Sequence, residues 1–180
     1  MKATIYSIKE AAPNRIAIVA RPRGGDWLCD ELSALSREGI DVLVSMLTEE
    51  ETNDLGLHRE SGECEAAAIK FINLPIPDRS VPSDRDGFLR SVEHLAEMVR
   101  AGRSLGVHCR ASIGRSSVLV VSVWCDLGGT GTRHFTPSSQ LADAPFQIRR
   151  NSASGSSRTF QLRADGRVKI AVPSHAVTIL

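Results

Sequence analysis

Short apolar runs alternate with amphipathic stretches of helical period along most of the chain. Two β-rich stretches, residues 3–8 and 15–20, flank a Pro-Asn turn at 13–14 and predict a hairpin. From Asp26 onward Trp27, Leu28, Leu32, Leu35 and Ile40 recur at helical intervals, with Asp26 as N-cap and Gly39 as C-cap. Residues 41–47 (DVLVSML) are short and rich in branched apolar side chains, as a buried parallel strand requires. Thr48, followed three residues later by Glu51, sets up a capping box that opens a short helix over 48–55. A second helix, about 58–69, leads into a strand over 70–76, and a Pro-rich loop occupies 77–84. Asp84 or Asp86 caps a helix over 87–101, whose stripe is Phe88, Val92, Leu95, Met98 and Val99. A strand at 104–108 and a helix over 116–126 follow.

Helices alternating with short apolar strands predict an α/β fold, a mainly parallel central sheet flanked by helices. In such sheets ligands bind beyond the carboxyl ends of the strands, and the loop 109–115 lies at one of those ends.

Composition sharpens this in two ways. The 180 residues, 42% hydrophobic and 24% charged, suit one ordinary globular domain. Lys9, Glu10 and Arg15 fall where a secretory apolar region would lie, and no run approaches the ~20 apolar residues of a membrane-spanning helix, so a cytoplasmic protein is expected. The net charge of +1 conceals a division. Residues 1–127 hold 15 basic and 19 acidic side chains, whereas 128–180 hold 7 and 2, with no Glu, seven Ser and no sustained apolar stripe. Residues 1–127 therefore read as one domain, and 128–180 as an atypical basic tail, irregular or disordered.

The four cysteines, 29, 64, 109 and 125, are scattered without metal-site or CxxC spacing, so free thiols in a reducing compartment are expected. Cys29, Cys64 and Cys125 sit in helical segments and read as buried filler.

Cys109 differs, because it follows a strand directly in His108-Cys109-Arg110-Ala111-Ser112-Ile113-Gly114-Arg115-Ser116. A strand-to-helix turn aims successive backbone N–H groups inward and adds the positive helix end, so residues 110–115 can cradle an oxyanion such as phosphate. The same field favours thiolate over thiol and makes Cys109 a nucleophile at the floor of an anion site. Arg115 can give two parallel hydrogen bonds to phosphate oxygens, which Lys cannot. Ser116 can donate its hydroxyl to the Cys109 sulfur and assist its departure, and His108 fixes the loop from the far side. Arg21, Arg23 and Arg79 suit either a basic rim or ordinary solvated positions.

HCRASIGRS resembles the His-Cys-x5-Arg-Ser/Thr signature of protein tyrosine phosphatases, in the form typical of the dual-specificity group. Many members have Gly where this chain has Ser112, at a position that can require positive φ. The segment Leu74-Pro75-Ile76-Pro77-Asp78-Arg79 resembles the family's general-acid loop, with Asp78 as the acid, 31 residues before Cys109. Asp84 and Asp86 are rivals that look like helix caps.

The resemblance implies a phosphatase acting on phosphotyrosine or phosphoserine/threonine through a cysteinyl-phosphate, without metal or other cofactor. The partners implied are a phosphorylated protein or a small phosphoester, with neither nucleic acid nor membrane expected. Alternatives are a lipid, small-molecule or RNA 5′ phosphatase, or a weakened phosphate-binding module. The family follows its signature helix with two more helices, whereas here the pattern ends near Leu127. Either the remainder is a tail, partly β as at 168–172, or the reading frame has shifted. In another frame residues 144–152 can encode Pro/Ala-Val-Pro-Asp-Thr-Pro-Glu-Gln-Arg, a capped helix start similar to the final helix of bacterial relatives.

Overall fold

The computed structural model describes residues 4–7, 16–112 and 114–129, together with the backbone of strands at 149–151, 157–162 and 168–171. The chain divides into two units, Met1–Leu127 and Gly128–Leu180.

In the first unit a five-stranded sheet has the order β1-β2-β5-β3-β4. Strands β2 (Ile16–Val19), β3 (Val42–Ser45), β4 (Lys70–Asn73) and β5 (Leu105–His108) run parallel, and β1 (Ile5–Ser7) pairs antiparallel with β2. The mainly parallel α/β arrangement is thus as expected, and so is the pairing of the first two strands; their turn lies outside the described residues. Strands β2, β3 and β5 are buried throughout, as helices on both faces require.

Helix α1 (Leu28–Arg37) sets Leu28, Leu32 and Leu35 on a core with Val19, Ile40, Leu43, Leu47 and Ile69, which also takes Cys64 from α3 (Glu60–Ala66). Helix α4 (Arg85–Arg100) packs on α5 (Gly114–Asp126), which lies against β2 and β5. Asp84 caps α4 by accepting from Gly87 N at 2.9 Å, while Phe88, Val92, Leu95 and Val99 are buried.

Several local expectations are corrected. Asp26 does not cap α1, because a 3-10 turn over Gly25–Trp27 precedes the helix. Trp27 is 52% exposed beneath the Arg23 guanidinium, 4.5 Å from its ring centre, instead of joining the core stripe. Cys29 is exposed too, since it falls one position off the Leu28–Leu32–Leu35 stripe; Cys64 and Cys125 are buried as expected. Helix α3 is shorter than its sequence pattern and ends at Ala66, two residues before Ala68 takes φ 58°. Strand β4 stops at Asn73 because Pro75 and Pro77 bring no N–H to a ladder. Leu74 and Ile76 nonetheless donate to Ser45 O at 2.9 Å and Met46 O at 3.3 Å, so the chain tracks β3 up to Asp78.

In the second unit, β6 (Arg149–Asn151), β7 (Ser157–Leu162) and β8 (Val168–Ala171) form an antiparallel sheet in that order. The β reading at 168–172 is met there.

Candidate active site

Because β3, β4 and β5 are parallel, Met46, residues 74–78 and Cys109 all emerge at one sheet edge. Cys109 directly follows β5 and is buried, and α5 begins at Gly114, two residues earlier than expected, so the loop between them is short. Ser112 adopts φ 55°, the left-handed geometry that the comparison with Gly suggested. Its Oγ accepts from Arg21 N at 3.0 Å, and Arg21 Nε donates to Arg110 O at 3.2 Å. Arg21, at the end of β2, therefore braces the loop from outside. Arg23 pairs instead with Glu31 at 2.6 Å, away from the loop, and Arg79 is exposed with φ 56°. Ala111 is exposed, Gly114 is the half-buried first residue of α5, and Ile113 lies outside the described residues.

Arg115 is buried and heavily engaged. Nη1 donates to Met46 O at 3.1 Å, Ile76 O at 2.6 Å and Glu51 Oε2 at 2.6 Å. Nη2 donates to Glu51 Oε1 at 2.7 Å and to Asp78 Oδ1 at 3.2 Å. Burial by itself would lower the Arg115 pKa, but hydrogen bonding to Glu51 and the charges of Cys109, Glu51 and Asp78 outweigh it and raise the value. The signature Arg, in the first turn of α5, and Asp78, on the loop after β4, thus meet although they are 37 residues apart.

Glu51 is the feature that sequence reasoning passed over. Thr48 and Glu51 form the expected capping box of α2 (Glu49–Asp54), with Glu51 N donating to Thr48 Oγ1 at 3.2 Å and Thr48 N to Glu51 Oε2 at 3.1 Å. The same carboxylate binds Arg115, whose hydrogen bonds hold its pKa below the ordinary value against the opposing effect of burial, with Thr48 N–H and the charges of Arg115 and Arg110 assisting. The capping box was the one sequence signal at Glu51, and a cap alone points neither to burial nor to a second partner.

His108 is wholly buried, with Nε2 2.9 Å from Glu60 Oε1, which supports its reading as a structural anchor behind the loop. The Ser116 hydroxyl is buried and makes no hydrogen bond among the described residues, so its expected donation to Cys109 is not made here. Burial, followed by the Glu60 charge, pushes the Cys64 thiol up to about 12 and leaves it an unreactive core group. Asp84 is committed to its cap.

An open cleft of about 850 Å³ lies over this edge, lined by Thr48 and helix α2 through Asp54, and by Pro77, Asp78 and Arg110. Arg110 is half-exposed, with Nη1 3.8 Å from Asp54 and 4.0 Å from Glu51. Among the described residues no cluster of His, Cys, Asp or Glu could hold a metal, and no helix is long and apolar enough to cross a membrane. A buried thiol, a fixed guanidinium and an exposed carboxyl at one strand edge can perform attack, oxyanion stabilisation and proton transfer on a phosphoester.

Solved structures carry the same fold. A kinase associated phosphatase with its catalytic-site cysteine substituted by serine aligns with a TM-score of 0.63 at 16% identity, over 71% of this chain and 75% of that one. Tk-PTP in its active form aligns with a TM-score of 0.52 at 25% identity, over 65% and 72%. A phosphatase-like protein of the DUF442 type from Shewanella putrefaciens gives 0.51 at 18%, over 69% and 74%. No curated protein matches the chain in sequence. Residues 18–128, more than half of the chain, match the family described as "Polymorphic toxin system, DSP-PTPase phosphatase". The chain belongs to that family of dual-specificity-type phosphatases.

Proposed function

We propose that the chain hydrolyses phosphotyrosine and phosphoserine or phosphothreonine in proteins, through a cysteinyl-phosphate formed on Cys109. The 3.2 Å contact between Asp78 and Arg115 carries this reading, since it brings the acid loop to the phosphate loop. The Cys109 thiolate attacks phosphorus as the P–O bond to the leaving group breaks and Asp78 gives that oxygen its proton. Asp78, now a carboxylate, takes a proton from water; the hydroxide attacks phosphorus, the S–P bond breaks, and the sulfur leaves as thiolate. Arg115 and the backbone N–H groups of 110–115 balance the charge on the equatorial oxygens. The openness of the cleft suits protein side chains of different length. The family's description supports a setting in a polymorphic toxin system, where the chain would act as the phosphatase module.

Release of phosphate from p-nitrophenyl phosphate and a phosphopeptide panel tests the proposal. Activity abolished by Cys109→Ser, with turnover of phosphopeptides, is expected; activity surviving Cys109→Ser overturns the mechanism. Turnover confined to small phosphoesters overturns the protein substrate class.

A further inference from the structure

Arg21 leaves the sheet beside the anion loop: Ile18 pairs with Val107 in the ladder, so Arg21, three residues on, lies level with Arg110. The chain beyond it is pinned as well. Gly25 N donates to Gly56 O at 3.2 Å, and a Cβ on Gly24 would stand 2.2 Å from Leu55 O, so only Gly lets this segment lie so close to the end of α2. Between those two fixed points Arg21 meets the loop twice, once through its side chain and once through its main chain.

The side chain takes hold of a carbonyl. Arg21 Nε donates to Arg110 O at 3.2 Å, while Nη1 donates to Pro22 O at 3.3 Å and steadies the guanidinium. A trans peptide is planar and sets its C=O and N–H on opposite sides. Drawing Arg110 O toward Arg21 therefore turns the N–H of Ala111 the other way, into the loop. The main chain acts on Ser112, which stands at φ 55°, a region that a residue with a Cβ enters only at a cost. Arg21 N donates to its Oγ at 3.0 Å. Gly would hold that φ unaided but offers no acceptor, whereas the Ser112 hydroxyl offsets part of the strain that its own Cβ brings.

We infer that Arg21 is a positioning residue for phosphate binding: from outside the loop it fixes the peptide plane between Arg110 and Ala111 and the left-handed turn at Ser112, and so aims the amides that receive the phosphate oxygens. The inference rests on the proposed phosphatase site. A positioning residue differs from a rim cation in its response to salt. A cation that attracts phosphate through space loses its influence as the screening length shrinks from about 10 Å at 0.1 M salt to about 3 Å at 1 M. An aim set by hydrogen bonds persists.

The experiment is tungstate titration by calorimetry at low and high salt, with steady-state kinetics on p-nitrophenyl phosphate, on the full chain and on Arg21→Ala, Arg23→Ala, Ser112→Ala and Ser112→Gly. Arg21→Ala is expected to weaken tungstate about tenfold relative to the parent at both salt concentrations, and to lower kcat/KM by a similar factor. Arg23→Ala removes an exposed cation two residues away, paired with Glu31, and should match the parent at high salt. Ser112→Ala keeps the strained φ and loses the acceptor, so it should bind tungstate about fivefold or more weakly than the parent, with Ser112→Gly between the two. A folded Arg21→Ala that binds as the parent does, or whose deficit disappears at high salt, overturns the inference, and so does an equal loss in Arg23→Ala. Should Arg21→Ala fail to fold, the Ser112 variants decide, and Ser112→Ala binding tungstate as well as the parent overturns it. A parent chain that binds tungstate but cleaves no phosphoester overturns the phosphatase reading and leaves this inference to be judged on tungstate.

Discussion

Helix α2 and the loop after β4 each deliver one carboxylate to the same guanidinium, and the two are built in opposite ways. Glu51 is nearly buried and makes contacts of 2.6 and 2.7 Å, while Asp78 is largely exposed and makes one at 3.2 Å. Burial makes the first pair hard to separate, because either partner left alone would be an uncompensated charge away from water. Exposure makes the second pair weak and exchangeable. The same residue class thus serves as a buried anchor on one side of Arg115 and as an exposed, exchangeable partner on the other, and the difference lies in solvent, not in chemistry.

The severest break of this comparison is Arg115→Ala, which strips both acids of their partner. It leaves Glu51 buried and unpaired, so a loss of about 3–5 kcal/mol in unfolding free energy is expected together with loss of activity. Pairing Arg115→Met with Glu51→Leu should recover much of the stability, since the buried charge is gone, yet none of the activity. Chemical denaturation of the two proteins checks this. A single variant as stable as the parent would show that Glu51 is not held by Arg115.

Asp78→Asn acts on the other side alone. Removing the proton donor is expected to lower kcat roughly 10²–10⁴-fold. Because the side chain is exposed, stability should change by no more than about 0.5 kcal/mol. Steady-state kinetics beside thermal melts read the two quantities, and a marked fall in stability would place Asp78 among the anchors.

How far the sequence revealed this site follows from the range of each interaction. Strands β2, β3 and β5, the cap at Asp84 and the α5 helix are local patterns of apolar period and side-chain chemistry, and all are found within one or two residues of their expected bounds. Cys109, Arg115 and Ser116 stand in one continuous motif. Asp78 needed the parallel topology as well, which carries it to the edge where Cys109 follows β5. Glu51 could be read only as a cap, because its second partner lies 64 residues away. Trp27 and Cys29 were misjudged because helical spacing fixes a stripe but not its edges, and a turn of 3-10 geometry shifted the first position. Beyond Leu127 no comparable pattern exists to read, and the family match ends at residue 128.

The gentlest test of the comparison uses acid. Arg115 holds the Glu51 pKa below its ordinary value of 4.5, so the unfolded chain takes up a proton at a higher pH than the folded one does. The Glu51–Arg115 contribution is therefore complete above the ordinary carboxylate range and is lost as pH falls through the lower native value. Between those two points the unfolded state binds more protons, and stability must fall with falling pH. Glu51→Gln has no such group and should lack this part of the acid limb, while Asp78→Asn should retain it. Thermal melts taken from neutral pH down through the carboxylate range would show the parent and Asp78→Asn falling more steeply than Glu51→Gln. Parallel acid limbs in all three would mean that the buried carboxylate is no better held in the folded chain than in the unfolded one, and the division between anchor and acid would then have no thermodynamic basis.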